Sequence, residues 1–172
     1  TVPRWQRVKA GEMVATVKVI AYGVARASVD ATCTVGTRAL NLHPARRTRL
    51  ALVETHTDPA ARPLGAKAIT DRLVALGASL ITHRHSPHRE ADLATTLGKV
   101  SGADLILILT ASATSDPEDV APGAVRRAGG RVDRFGMPVD PGNLLFLGSL
   151  GETPVIGLPG CVRSPALNGA DW

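Results

Sequence analysis

A chain of 172 residues, 44% hydrophobic and 20% charged, has a globular composition and enough apolar material for a core of its own, which excludes a disordered chain or a coiled coil. With two Trp, one Tyr and two Phe, that core must be built from Ala, Val, Leu and Ile, and the stacking platforms of a single-strand nucleic-acid binder are nearly absent. The net charge of +5 sits at the front: residues 1–50 hold nine Lys/Arg against two Asp/Glu, and the rest eleven against thirteen, so no polyanion-binding surface runs through the whole chain.

Val8 to Tyr22 alternates β-branched residues, Met13, Ala15, Val17 and Val19 against Val14, Thr16, Lys18 and Ile20, and reads as strands. Ala27 to Val35 is a second β-prone stretch. Asn41 to Arg49 has no period, and a boundary is placed near Arg47. This divides the chain into a β-rich segment, 1–47, and an α/β domain, 48–172. Arg46, Arg47 and Arg49 read as a solvated junction rather than a phosphate contact.

From Leu50 the pattern turns to short apolar runs alternating with helical periods, the mark of a sheet layered with helices. LALVE (50–54) is a buried strand. Leu64, Ala68, Leu73 and Leu76 predict a helix closed at Gly77. SLITH (79–83) is the next strand, Arg89 to Val100 a helix with Leu93, Leu97 and Val100 on one face, and DLILILT (104–110) the clearest buried strand. A loop over 111–119 leads into a short helix that tolerates Pro122 in its first turn. Arg131 to Met137 is a strand. LLFLGSL, Gly151 and TPVIGL predict a hairpin, so the sheet is mixed. A Pro/Gly loop spans 157–165, and a helix is expected from Ala166.

Cys33 and Cys161 stand far apart, which implies neither a disulfide framework nor a zinc site and suits a reducing compartment. No run approaches the ~18 apolar residues of a membrane span, and no signal-peptide pattern opens the chain. A cytoplasmic location is expected, as is membership of a longer polypeptide.

In an open α/β sheet, ligands bind beyond the carboxyl ends of the strands, where loops present backbone N–H groups. Three loops qualify: Thr110 to Asp119, Met137 to Asn143 and Gly157 to Ser164. Their small residues admit the close backbone approach that an anionic ligand needs. His83 and His85 in THRHSPH point to one face of an extended segment, a spacing open to a transition metal. With no acidic or cysteine neighbour in sequence, they read as a solvated strand end. Cys161 reads as small-residue packing. There is no P-loop, nucleophile elbow or dinucleotide fingerprint.

In order and separation, the strings DLILILTASATSDPEDVAP, PVDPGNLLFLG and PVIGLPGCVRSP resemble the molybdopterin-binding domain of molybdenum-cofactor biosynthesis proteins such as gephyrin, over about residues 50–172. The ending GLPGCVRSPALNGADW looks most like a bacterial subgroup in which this domain precedes a nucleotidyltransferase. The resemblance implies a three-layer α/β/α fold with a mostly parallel mixed sheet and a homo-oligomer, trimeric in the family. It also implies molybdopterin or molybdenum cofactor as ligand, with Mg²⁺. Thr110, Ala111, Ser112, Ala113, Thr114 and Ser115 would line the pterin or its phosphate. Pro141, Gly142 and Asn143, with Pro159, Gly160, Arg163 and Ser164, would close the other side. Asp119 matches the family's acidic position and is the candidate magnesium ligand or general base, with a helix cap as the alternative. For Arg163 and Ser164 the alternative to phosphate binding is likewise capping.

Three departures bear on activity. Ala111 and Ser112 stand where catalytic members carry Gly-Gly, Asn143 where many carry Lys, and Pro87-His88 where the family has Pro-Asp. They favour binding, and presentation to a fused neighbour, over adenylylation of molybdopterin or insertion of molybdate. The competing readings are a structural or oligomerising module that kept the fold and lost the ligand, and a nucleotide-cleaving enzyme related to competence-damage proteins.

Overall fold

The computed structural model describes residues 1–18, 20–60 and 65–172. Val19, in the expected first strand, and Leu64, at the head of the expected second-segment helix, lie outside them. The chain divides into two units, Thr1–His43 and Pro44–Trp172.

The first unit is not the β-rich segment expected. Among its described residues there is no strand, and α1 spans Arg26–Gly36. A strand needs a neighbour to take its backbone groups, and over residues 8–18 and 20–22 no ladder forms. Among the described residues, only the Val2 N–H reaches this stretch from outside it, donating to Val14 C=O at 2.8 Å. The second β-prone stretch is helical, and its threonines turn back on the helix. Thr32 and Thr34 Oγ1 donate to the carbonyls of Ser28 and Asp30 at 2.8 and 2.9 Å, and Arg26 pairs with Asp30 one turn on at 3.0 Å. None of the helix's residues is buried.

The second unit carries the sheet. Its elements are β1 (Arg49–His56), α2 (Ala66–Ala75), β2 (Ser79–Pro87), α3 (Glu90–Leu97), β3 (Leu105–Leu109), α4 (Val120–Arg127), β4 (Arg131–Phe135), β5 (Phe146–Leu150) and β6 (Thr153–Leu158). Strand order is β2-β1-β3-β6-β5-β4. β1 pairs parallel with β2 and β3, and β3 parallel with β6, while β5 runs antiparallel to both β6 and β4. A mostly parallel mixed α/β sheet is therefore observed.

The central strands are apolar on both faces because helices cover both. Ala51, Val53, Ile106 and Ile108 face α3 and α4, packing with Leu93, Leu97 and Val125. Leu50, Leu52, Leu107 and Leu109 face α2, packing with Ile69, Leu73 and Val162. Leu76, expected on the buried face of α2, is exposed. No helix starts at Ala166: the chain forms 3₁₀ turns at Gly160–Arg163 and Gly169–Asp171. No helix among the described residues is long and apolar enough to cross a membrane.

The basic patch begins β1. Asp104 Oδ2 accepts the backbone N–H of Thr48 and Arg49, and Arg47 donates to the Asp104 carbonyl at 2.9 Å. One residue breaks the β1–β2 ladder: Leu50 pairs with Leu80 but Ala51 pairs with Thr82. This bulge reverses which face the rest of β2 presents.

Candidate functional site

The strands β1, β2 and β3 end side by side, and the loops that follow them meet there. Thr55, near the end of β1, is buried. Its Oγ1 accepts the Ala111 N–H at 2.8 Å and bonds His88 Nδ1 at 2.9 Å. The other ring nitrogen, His88 Nε2, bonds Ser112 Oγ at 2.9 Å. A neutral imidazole, donor on one side and acceptor on the other, satisfies both contacts. Burial pushes the His88 pKa down from the ordinary histidine value, while the nearby charge of Asp119 raises it.

Asp119 stands at the N-cap of α4 with an extended backbone, yet its side chain makes no cap hydrogen bond. It turns back to the preceding loop. Oδ2 accepts the backbone N–H of Ser115 at 2.7 Å and of Asp116 at 3.0 Å, and the Ser115 hydroxyl at 3.3 Å. These bonds hold its carboxyl below the ordinary carboxylate pKa, the Ser115 N–H most and His88 least. The helix-cap alternative therefore fails in detail, because the carboxylate orders the loop over 115–116 and stays charged beside His88.

Thr110 and Thr114 are buried and share a hydrogen at 3.2 Å, and Thr110 Oγ1 donates to the Ser112 carbonyl at 2.7 Å. Ala113 is exposed. Arg163 is drawn to this loop, donating to the Thr110 carbonyl at 2.8 Å and to the Gly160 carbonyl at 3.3 Å. Those donors close the turn on its neighbour instead of standing free for phosphate. Pro159 caps the same turn by accepting Val162 N–H at 3.0 Å. Ser164 Oγ accepts the Ala166 N–H at 3.2 Å, so it orders the chain after the turn.

The remaining loop is joined to the last turn, not to the first loop. Gly169 N–H donates to the Pro141 carbonyl at 2.9 Å. Gly142 has φ +113°, and a Cβ there would collide with the backbone of Gly169. Only glycine fits. Asn143 is exposed. The expected residues thus form two linked groups, 110–119 with Arg163, and 141–142 with the turn at 169–171.

A cavity of about 370 Å³ opens beyond β1 and β2, lined by His56, Thr57, Pro59, Pro87, His88 and Arg89. In its wall His56 Nδ1 is buried and has no hydrogen-bond partner among the described residues. A second cavity, about 330 Å³, is apolar and lies between α2 and the sheet, among Leu50, Leu73, Leu105, Leu107 and Arg47. Thr55 and His56 are site residues that no motif marks, whereas His88 stands in THRHSPH and in the Pro87-His88 departure.

No family model matches the chain, and no curated protein matches its sequence. Solved structures do match. The molybdopterin biosynthesis MoeA protein of Pyrococcus horikosii superposes with a TM-score of 0.53 at 20% identity, over 77% of this chain and 35% of that one. The molybdopterin biosynthesis enzyme MoaB of Thermus thermophilus superposes at 0.50 and 21% identity, over 69% of this chain and 82% of that one. The chain shares its fold with molybdopterin biosynthesis proteins. It spans about a third of the MoeA protein's length. At these identities the likeness is one of fold, and the site rests on its own geometry.

Proposed function

We propose that the chain binds a phosphate-bearing pterin, molybdopterin or the molybdenum cofactor, in the cleft beyond β1, β2 and β3, and acts in late cofactor biosynthesis or maturation. The observation that carries this reading is the cleft of about 370 Å³ at the ends of β1 and β2, with His88 fixed in its wall by Thr55 and Ser112 and the charge of Asp119 beside that ring. The fold neighbours, molybdopterin biosynthesis proteins, support the same ligand class.

Asp119 fits a magnesium ion that arrives with the ligand's phosphate, since it is charged and keeps an oxygen outside its three hydrogen bonds. Such an ion, bound by few carboxylates and completed by substrate oxygens, would neutralise phosphate charge. The loop over 110–115 would line the ligand from the β3 side. Cβ atoms at Ala111 and Ser112 and the uncharged Asn143 favour holding the cofactor, in a homo-oligomer and for a fused nucleotidyltransferase, over adenylylation. One observation favours the rival structural module: the Ala111 N–H and two donors of Arg163 are spent inside the protein.

Titration with metal-free molybdopterin, followed by pterin fluorescence, separates the two. Saturable micromolar binding, about −8 kcal/mol, that weakens roughly tenfold in Asp119→Ala, one lost charged hydrogen-bonding group, supports the cofactor site. Asn143→Asp would weaken it further if that loop faces phosphate. Absence of binding in an intact, oligomeric sample makes the chain a structural module.

A further inference from the structure

Glu54 is a carboxylate that follows the apolar run Leu50–Val53 in a buried strand, and only 2% of it is exposed. Acids are almost never buried so fully unless paired. Its one hydrogen-bond partner among the described residues is His83 on β2, with Nε2 donating to Oε2 at 2.6 Å. The bulge that opens between Leu50 and Ala51 brings Glu54 opposite His85 in the ladder. It also turns His83 and His85 to the same face as Leu52 and Glu54, and the two rings lie 4.5 Å apart between centroids. One donor atom from each of Glu54, His83 and His85 falls within 4.8 Å of the others.

The back of this group is closed. A Cβ at Gly65 would stand 2.9 Å from Glu54 Oε1 and would collide with Leu109, so backbone and core pin the carboxylate from behind. Its front is open, since His83 retains 32% of its side-chain exposure and His85 is exposed. A rigid buried acid with two accessible imidazoles is the donor set of an open transition-metal site: three protein ligands, with a position left for water. At metal–ligand distances of about 2.1 Å, tetrahedral donors lie roughly 3.4 Å apart, which rotation of two exposed side chains can meet.

We propose that Glu54, His83 and His85 bind one divalent transition ion of the zinc class. The ion takes the place of the hydrogen that His83 donates to Glu54, and that proton leaves to solvent. The site is separate from the cleft of the proposed pterin reading and does not depend on it, because it is tested with metal alone.

The full chain, stripped of metal, would be titrated with Co²⁺ by visible absorption and with Zn²⁺ against a chromophoric chelator. One ion per chain with a visible cobalt band is expected. His85→Gln, at an exposed position that leaves the core intact, should lower affinity by about 100-fold, the upper range for losing even a supporting partner of a metal site. Glu54→Gln should do the same, and thermal unfolding by circular dichroism would show whether it folds. His43→Gln, in the other unit, should change nothing. Absence of stoichiometric binding, or binding undiminished in a folded His85→Gln chain, overturns the proposal.

Discussion

At the scale of single residues, the pair His88 and Asp119 sets the charge of the candidate cleft. Burial lowers the His88 pKa and Asp119 raises it, with burial the larger effect, so the folded protein takes up this proton at lower pH than the unfolded chain. Between the lowered pKa and the unfolded value of about 6.5, the unfolded state binds more protons, and stability falls as the solution is acidified through that window. Asp119 acts in the same direction at lower pH. Its folded pKa is depressed, so its contribution is present above the unfolded carboxylate value and is lost as pH drops through the folded one. An imidazole NMR titration should place the His88 midpoint below that of a free histidine. Asp119→Asn should move it lower still, because the one influence that raises it is gone. A midpoint unchanged in Asp119→Asn would mean the carboxylate does not act on this ring.

At the scale of elements, the contact that binds α2 to the end of the chain is a part-buried ion pair. Arg72 reaches Asp171 at 2.9 and 3.1 Å, and the two side chains keep only 13% and 9% of their exposure. The same guanidinium donates to the carbonyls of Val162, Ser164 and Ala166. Arg72→Ala removes all of these bonds at once, several of them to or from a charged group, so it should cost about 3 kcal/mol in urea unfolding. Lys67 and Asp71, on the same helix, form a shorter pair at 2.7 Å but keep 86% and 64% of their exposure. Lys67→Ala should change stability by about 0.5 kcal/mol or less. A cross-strand contact in the hairpin gives a third expectation. Phe146 pairs with Gly157 in the β5–β6 ladder, and its ring covers the place where a Cβ would stand. Gly157→Val should destabilise by about 1–3 kcal/mol or more, the range for overpacking a filled core.

These elements also show what the sequence could reveal. LALVE and DLILILT were legible because strands covered on both faces read as unbroken apolar runs, and the hairpin about Gly151 because two such runs flank a turn. The helix at Arg26–Gly36 was not, since Thr and Val are β-formers by propensity and the i−4 bonds of the threonines exist only once the helix has formed. Arg72 and Asp171 lie 99 residues apart, and nothing local marks them as partners. The group Glu54, His83 and His85 was half visible. The spacing of the histidines put them on one face, but the acid came from a neighbouring strand 29 residues away from His83, through a bulge that no pattern of residue types announces.

At the scale of the whole molecule, the two units differ in kind. Both hydrophobic cores are built from residues at or beyond Leu50, and none of the described residues in Thr1–His43 is buried. Burial of apolar surface is the main source of cooperative stability, so the second unit contains what it needs for an all-or-none transition. A chain reduced to Pro44–Trp172 should keep a single cooperative thermal transition by circular dichroism and calorimetry, with calorimetric and van't Hoff enthalpies in agreement. It should also keep the pH dependence assigned to His88 and Asp119, since both belong to that unit. Loss of cooperativity in the shortened chain would mean that the cores of the sheet are insufficient alone, and that residues 1–43 contribute to the fold through more than their own helix.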